Sequence, residues 1–180
     1  SIFEAFNARV ESNYQKIWPT STKNIKIELN PNGLQEAIYF SRLSTLTQGI
    51  LFIEYFSKRE NLEIKIEDVM QNWLEGCIIR SDLLKEIKSI LKDGPPNKSI
   101  VESKQIQKNL DSRIKNTKNL VSYCIENNIP TPVMYSSLNW YINSSSKFNP
   151  SSLIQAQRDY FGAHTVQLHE SDEFLHLNWD

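Results

Sequence analysis

The 180-residue chain is short of the residues that usually announce a chemistry. Its two cysteines, Cys77 and Cys124, form no CxxC pair, which argues against a disulfide framework or a zinc site and leaves two free thiols that behave as small core hydrophobes. His169 and His176 stand at no metal-ligand spacing from cysteine or another histidine, so no metal site is expected. The five glycines make neither a GxGxxG nor a P-loop, and no series of strands is present to build a parallel sheet. No apolar run approaches the about 18 residues of a membrane span, and the opening SIFEAFNARVES has no cleavable apolar block. A cytoplasmic protein without a membrane partner is the expectation. Twenty basic against twenty-one acidic residues, a net charge of −1, argue against nucleic acid as a partner. A local basic site for a small anion stays open.

What is present is helical periodicity. Ile2, Phe3, Phe6 and Val10 repeat at helical spacing in the opening segment. The chain breaks at Trp18–Pro19, and NIKIELN reads as a short extended piece. A long helix follows over residues 34–60, capped by Asn30 or Asn32 with Pro31 at an early position, and Leu34, Ile38, Leu46, Ile50, Ile53 and Phe56 give it an apolar face. Gly49 costs about 1 kcal/mol against alanine inside that helix and so predicts a close helix contact. A short helix then turns near Gly76 into another from Ile78, before a break at GPPNKS. The next helix is long and polar, with a narrow stripe of Ile106, Leu110, Ile114, Leu120, Val121 and Cys124. IPTPV separates it from a helix over residues 134–143, and a last helix runs from Ser151 or Ser152 to Phe161. Gly162 fits a helix stop, and the tail that follows reads as extended or irregular. The fold class is all-α with a short extended C-terminal tail.

Two stretches carry candidate chemistry. In QAQRDYFGAH, Arg158 lies near a helix end and His164 follows the glycine by two residues. A guanidinium grips phosphate or carboxylate through two parallel bonds, and an imidazole adds a donor that charges near neutral pH. The pattern suits a phosphorylated acid; it also suits a surface arginine paired with Asp159 and a satisfied histidine. In GCIIRS, Arg80 comes straight after an apolar run, where a buried arginine needs either a carboxylate or an anionic ligand. Glu170, Asp172 and Glu173 read as a solvated loop.

WLEGCIIRS, NNIPTP, NPSSLIQAQRDYFGAHT and FLHLNW, in this order, resemble the C-terminal part of 6-phosphogluconate dehydrogenase, the decarboxylating enzyme, and the likeness extends back through EAFNAR and LQEAIYFSRLSTLTQG. The resemblance implies a helical dimerisation and substrate domain over residues 1–161 and a tail over 162–180. It implies NADP-dependent oxidation of 6-phosphogluconate to ribulose 5-phosphate and CO2 in the pentose phosphate pathway, without a metal, by a homodimer whose tail reaches the partner's active site. It implies that Arg80 and Arg158 bind the substrate phosphate and that His164 contacts the substrate from the neighbouring subunit. The family's proton-transferring lysine and glutamate, and its nucleotide-binding glycines, stand upstream of the matching region. On that expectation the chain is a fragment that is inactive by itself and holds NADP mostly through an N-terminal domain it lacks. It also departs from the family. Leu74 and Glu75 replace an arginine and a small residue after the tryptophan, and YINSS at Tyr141–Ser145 replaces YDSYR. The competing expectation is a catalytically inactive helical dimerisation or interaction module of a divergent homologue.

Overall fold

The computed structural model describes residues 2–13, 30–93, 99–147, 149–168 and 171–179. The break at Trp18–Pro19, the NIKIELN piece before Asn30, most of GPPNKS, His169 and Glu170 lie outside the described residues. The chain divides into two compact units, residues 1–141 and 142–180. Helices dominate: α1 (Ile2–Glu11), α2 (Pro31–Arg59), α3 (Ile66–Gly76), α4 (Asp82–Lys92), α5 (Lys104–Glu126), α6 (Pro132–Ser145) and α7 (Ser151–Gly162). Two short strands, β1 (Val166–Gln167) and β2 (Phe174–Leu175), pair antiparallel with Val166 opposite Leu175. The all-α expectation with an extended tail holds.

Local chemistry explains the helix ends. Asn30 caps α2 by accepting the Asn32 backbone N–H at 3.0 Å, with Pro31 supplying a preset φ at the first position. Its other end closes through Asn61 at φ 51°, where the Leu62 N–H reaches back to the Ser57 carbonyl at 2.8 Å. α5 ends the same way, with Asn128 at φ 57° and Ile129 N–H bonded to the Cys124 carbonyl at 2.8 Å. Asparagine tolerates the left-handed region better than most residues, so neither stop needs glycine.

The first unit is built on α2 packed along α5, with α3 and α4 as a helical pair beside them. Phe40, Leu43 and Ile50 of α2 meet Met70, Leu84, Ile87, Ile106 and Leu110 in one core. Phe40 and Tyr141 meet edge to face at 5.5 Å. Glu54 of α2 holds a 3-10 turn at Ile100–Glu102 by accepting from the Ser99 hydroxyl and the Ile100 N–H. Most of the expected α5 stripe is buried, with Ile114 partly so.

Three expectations are corrected. The buried side of α2 is Ala37, Phe40, Ser41, Leu43, Ser44, Thr47 and Ile50, while Ile38 and Phe56 are exposed. Small residues let neighbouring helices cover that side, and a count of large apolar residues misses it. Gly49 marks no close contact, since a Cβ there would meet nothing within 4 Å. α4 begins at Asp82, after Ser81, and leaves Ile78 almost wholly exposed in the loop.

Candidate functional site

The site assembles in the second unit, from α7 and the tail that follows it. α7 brings Gln155, Arg158, Asp159 and Gly162 within two turns. Gln155 lies one turn before both Arg158 and Asp159; Asp159 is turned inward, whereas Arg158 is exposed. Asp159 is wholly buried. One carboxylate oxygen accepts the Thr165 N–H at 2.7 Å and the His176 Nδ1–H at 2.9 Å. The other accepts the Leu177 N–H at 2.9 Å and the Trp179 indole N–H at 3.1 Å. Burial alone would raise this carboxyl. The hydrogen bonds from His176, Leu177, Trp179 and Thr165 outweigh it and hold the group well below the usual carboxylate range.

Asp159 thus joins the helix end to residues 17–20 positions downstream. Trp179 completes the join by meeting Tyr160 edge to face at 5.6 Å. Between these ties lies a tight reversal. Ala163 (φ 47°) and Thr165 (φ 60°) are both left-handed, each at a cost of about 1–2 kcal/mol for a non-glycine residue. They bracket His164. Gln155 secures the reversal from the helix side by donating to the Thr165 carbonyl at 2.7 Å. The same side chain accepts from the Arg158 guanidinium at 3.0 Å, so Gln155 links the arginine to the histidine turn. The left-handed stop is therefore Ala163, not Gly162. Gly162 serves a different need: a Cβ there would stand 2.9 Å from His164 Cδ2 and 3.0 Å from Nε2, so only glycine lets the imidazole lie against the helix end.

Arg158 and His164 are exposed and belong to the same unit. Arg158 does not pair with Asp159, whose oxygens are taken, and no carboxylate among the described residues pairs with it. Arg80 belongs to the first unit, in the exposed loop between α3 and α4. Its backbone N–H closes a turn onto the Cys77 carbonyl at 3.1 Å. The apolar run before it is loop rather than core, so burial forces no partner on the guanidinium. Asp82 bonds Lys85 instead, at 2.8 Å. Glu75 is exposed and takes a bond from Gln71. Leu74 packs on the core, and the Tyr141 hydroxyl donates to Asp111.

Sequence reasoning missed Asp159 and Gln155 as organisers of this site. The available signal was their four-residue spacing, but the partners of Asp159 are set by folding. A groove of about 530 Å³ runs beside the turn, lined by Ser151, Ser152, Gln155, Thr165, Gln167 and Phe174 among others. Among the described residues no three His, Cys, Asp or Glu side chains cluster to hold a metal ion. No described glycine has positive φ, and the only sheet among the described residues is the two-stranded tail, so they offer no glycine cradle for a dinucleotide pyrophosphate. Cys77 is half-buried and Cys124 buried, both as free thiols. No described helix is long and apolar enough to cross a membrane.

Residues 1–179 match the family described as 6-phosphogluconate dehydrogenase, C-terminal domain. The "6-phosphogluconate dehydrogenase, decarboxylating" of Staphylococcus aureus (strain N315) is 30% identical over 146 residues, 81% of this chain and 31% of that protein. The protein of the same name from Synechocystis sp. is 28% identical over 190 aligned residues, 99% of this chain and 39% of its own length. The chain thus spans about a third of the length of these relatives. The solved 6-phosphogluconate dehydrogenase of Plasmodium falciparum, studied in its apo form and with NADP+ and 6-phosphogluconate, matches 99% of this chain and 38% of its own, with a TM-score of 0.76 and 26% identity.

Proposed function

The chain belongs to the 6-phosphogluconate dehydrogenase C-terminal domain family, and from that premise we propose that it is the substrate-clamping, dimerising part of an NADP-dependent enzyme that converts 6-phosphogluconate to ribulose 5-phosphate and CO2. Arg158 and Arg80 hold the substrate phosphate, and His164 contacts the substrate from the neighbouring subunit. Residues 1–161 act as the dimerisation and substrate domain and 162–180 as the tail. The observation that carries this reading is the state of Arg158: an exposed guanidinium with no carboxylate partner among the described residues, tied through Gln155 to a strained turn that presents His164. Strain of this kind persists where the surroundings enforce it, which is common at binding sites.

The division of labour is chemical. NADP supplies the hydride acceptor and is held mostly outside these residues, and the lysine and glutamate that the family resemblance assigns to proton transfer lie outside them. This chain's residues bind and orient. A clamp on a phosphate remote from the reacting carbons contributes binding energy that fixes the substrate's position. Each charge-assisted bond is worth about 1.5–3 kcal/mol, or about 10- to 100-fold in substrate affinity.

A homodimer is part of the proposal. α7 exposes Leu153 and Phe161 at 74% and 70%, and α2 exposes Phe52 and Tyr55, a large apolar area for a single soluble chain. Light scattering on the full-length protein is expected to give a dimer; a strict monomer counts against that interface.

The deciding experiment follows reduced nicotinamide by absorbance in full-length protein given 6-phosphogluconate and NADP. The Arg158→Ala variant is expected to raise the substrate KM about 10- to 100-fold with the fold kept. An unchanged KM removes Arg158 from the clamp. A folded parent protein with no activity turns the reading to the interaction module.

A further inference from the structure

The proposed substrate contact of His164 raises the question of what holds an exposed imidazole in place. Its backbone is confined between two left-handed non-glycine residues, Ala163 and Thr165. Thr165 is fixed by its N–H on Asp159 and by its carbonyl on Gln155. The Asp159 oxygens are shared with the His176 ring, the Leu177 N–H and the Trp179 indole. We propose that Asp159 is a positioning residue for His164: it locks the turn that aims the imidazole, and it does so only while residues 176–179 are docked on it, so that tail docking and substrate contact are one event. This rests on the reading that His164 touches substrate. Gly162 is the second part of the device, because it leaves the space in which the ring lies.

The geometry accounts for a carboxylate at this point. Four N–H donors converge on two oxygens, and an ionised carboxylate accepts all four, whereas an amide at the same position would turn its own N–H groups toward two donors. Asp159→Asn therefore keeps the size and breaks one side of the lock. Trp179→Phe is gentler: it deletes one donor and keeps an aromatic ring against Tyr160.

The test is a double-mutant cycle in the full-length enzyme, combined with NMR of the His164 ring. Asp159→Asn is expected to raise the 6-phosphogluconate KM roughly tenfold or more in the parent and by less than about twofold in a His164→Ala background, because misplacement of a contact costs on the order of that factor while an absent contact costs nothing further. Equal KM effects in both backgrounds overturn the inference and make Asp159 a general support of the fold. The His164 ring resonances are expected to shift in Asp159→Asn and, less, in Trp179→Phe. Resonances that stay put in both overturn it as well. If His164→Ala alone leaves KM unchanged, the substrate contact fails, while a moved His164 resonance still upholds the positioning. If Asp159→Asn does not fold, Trp179→Phe takes its place in the cycle: a KM effect that disappears in the His164→Ala background supports the inference, and one that persists there overturns it.

Discussion

Between residues 30 and 141, Phe40, Leu43, Ile50, Met70, Leu84, Ile87, Ile100 and Ile106 are almost completely removed from water. Between residues 142 and 179, only Asp159 and Val166 are buried among the described residues. The first unit is held by area: interlocked apolar side chains whose contributions add up without regard to direction. The second is held by direction: one carboxylate, four donors, and a side-chain amide that spans the turn. A unit organised this way makes little core of its own and leaves Leu153, Ile154, Phe161 and Phe174 in solvent. What it gains is a geometry in which two left-handed residues and a glycine set the place of one imidazole. Apolar packing tolerates small shifts of its parts, and a hydrogen-bonded hub does not.

The contrast is broken most forcefully in the first unit. Phe40→Ala removes a wholly buried ring that meets Tyr141, and is expected to destabilise the protein by about 3–5 kcal/mol in denaturant unfolding. A loss under about 1 kcal/mol would show that the core closes over the gap. The second unit is expected to answer to pH instead. The Asp159 carboxyl is depressed in the fold, so its contribution is fully present above the ordinary aspartate value of about 3.9 and is lost as pH falls through the lower folded value. Hydrogen exchange at the Thr165 and Leu177 amides checks this. Protection that vanishes already near about pH 5 would contradict the hub.

Smaller effects sharpen the comparison. Gly49→Ala fills open space inside α2 and is expected to stabilise by about 1 kcal/mol. Ala163→Gly relieves left-handed strain and is expected to stabilise by about 0.5–1 kcal/mol, while loosening the His164 turn enough to raise the substrate KM. Stability and binding moving in opposite directions at residue 163, and stability alone at residue 49, is the signature of strain kept for a site. The smallest effect is spectroscopic. Burial and the hydrogen bond to Glu86 push the Tyr39 phenol up to about 12. Its ultraviolet titration should trail that of the exposed tyrosines, and stability should fall as pH rises from about 10 toward that value.

Much of the fold was legible because its signals are local. Asn30 with Pro31, the polar α5 with its stripe, and the short segment between Asn128 and Pro132 place helix ends within a few residues. The misreadings share a cause. Ile38 and Phe56 suit an apolar face, but which side of α2 is covered depends on its neighbours. Ile78 and Ile79 look like core, yet the loop carries them outward. Gly162 has the residue type of a helix stop, but its work is to clear space for a ring two residues on.

The sequence by itself determined the helical class, the punctuation between helices, the family motif around QAQRDYFGAH and the residues worth testing as an anion clamp. These follow from periodicity, capping and residue chemistry, which act over a few positions. Only the tertiary structure decided that Asp159 bonds His176, Leu177 and Trp179 rather than Arg158, that Ala163 takes the left-handed stop, and that Gln155 couples Arg158 to the His164 turn. The reason is physical: a buried carboxylate takes whichever donors the fold brings within about 3 Å, and here they come from 6 to 20 residues downstream.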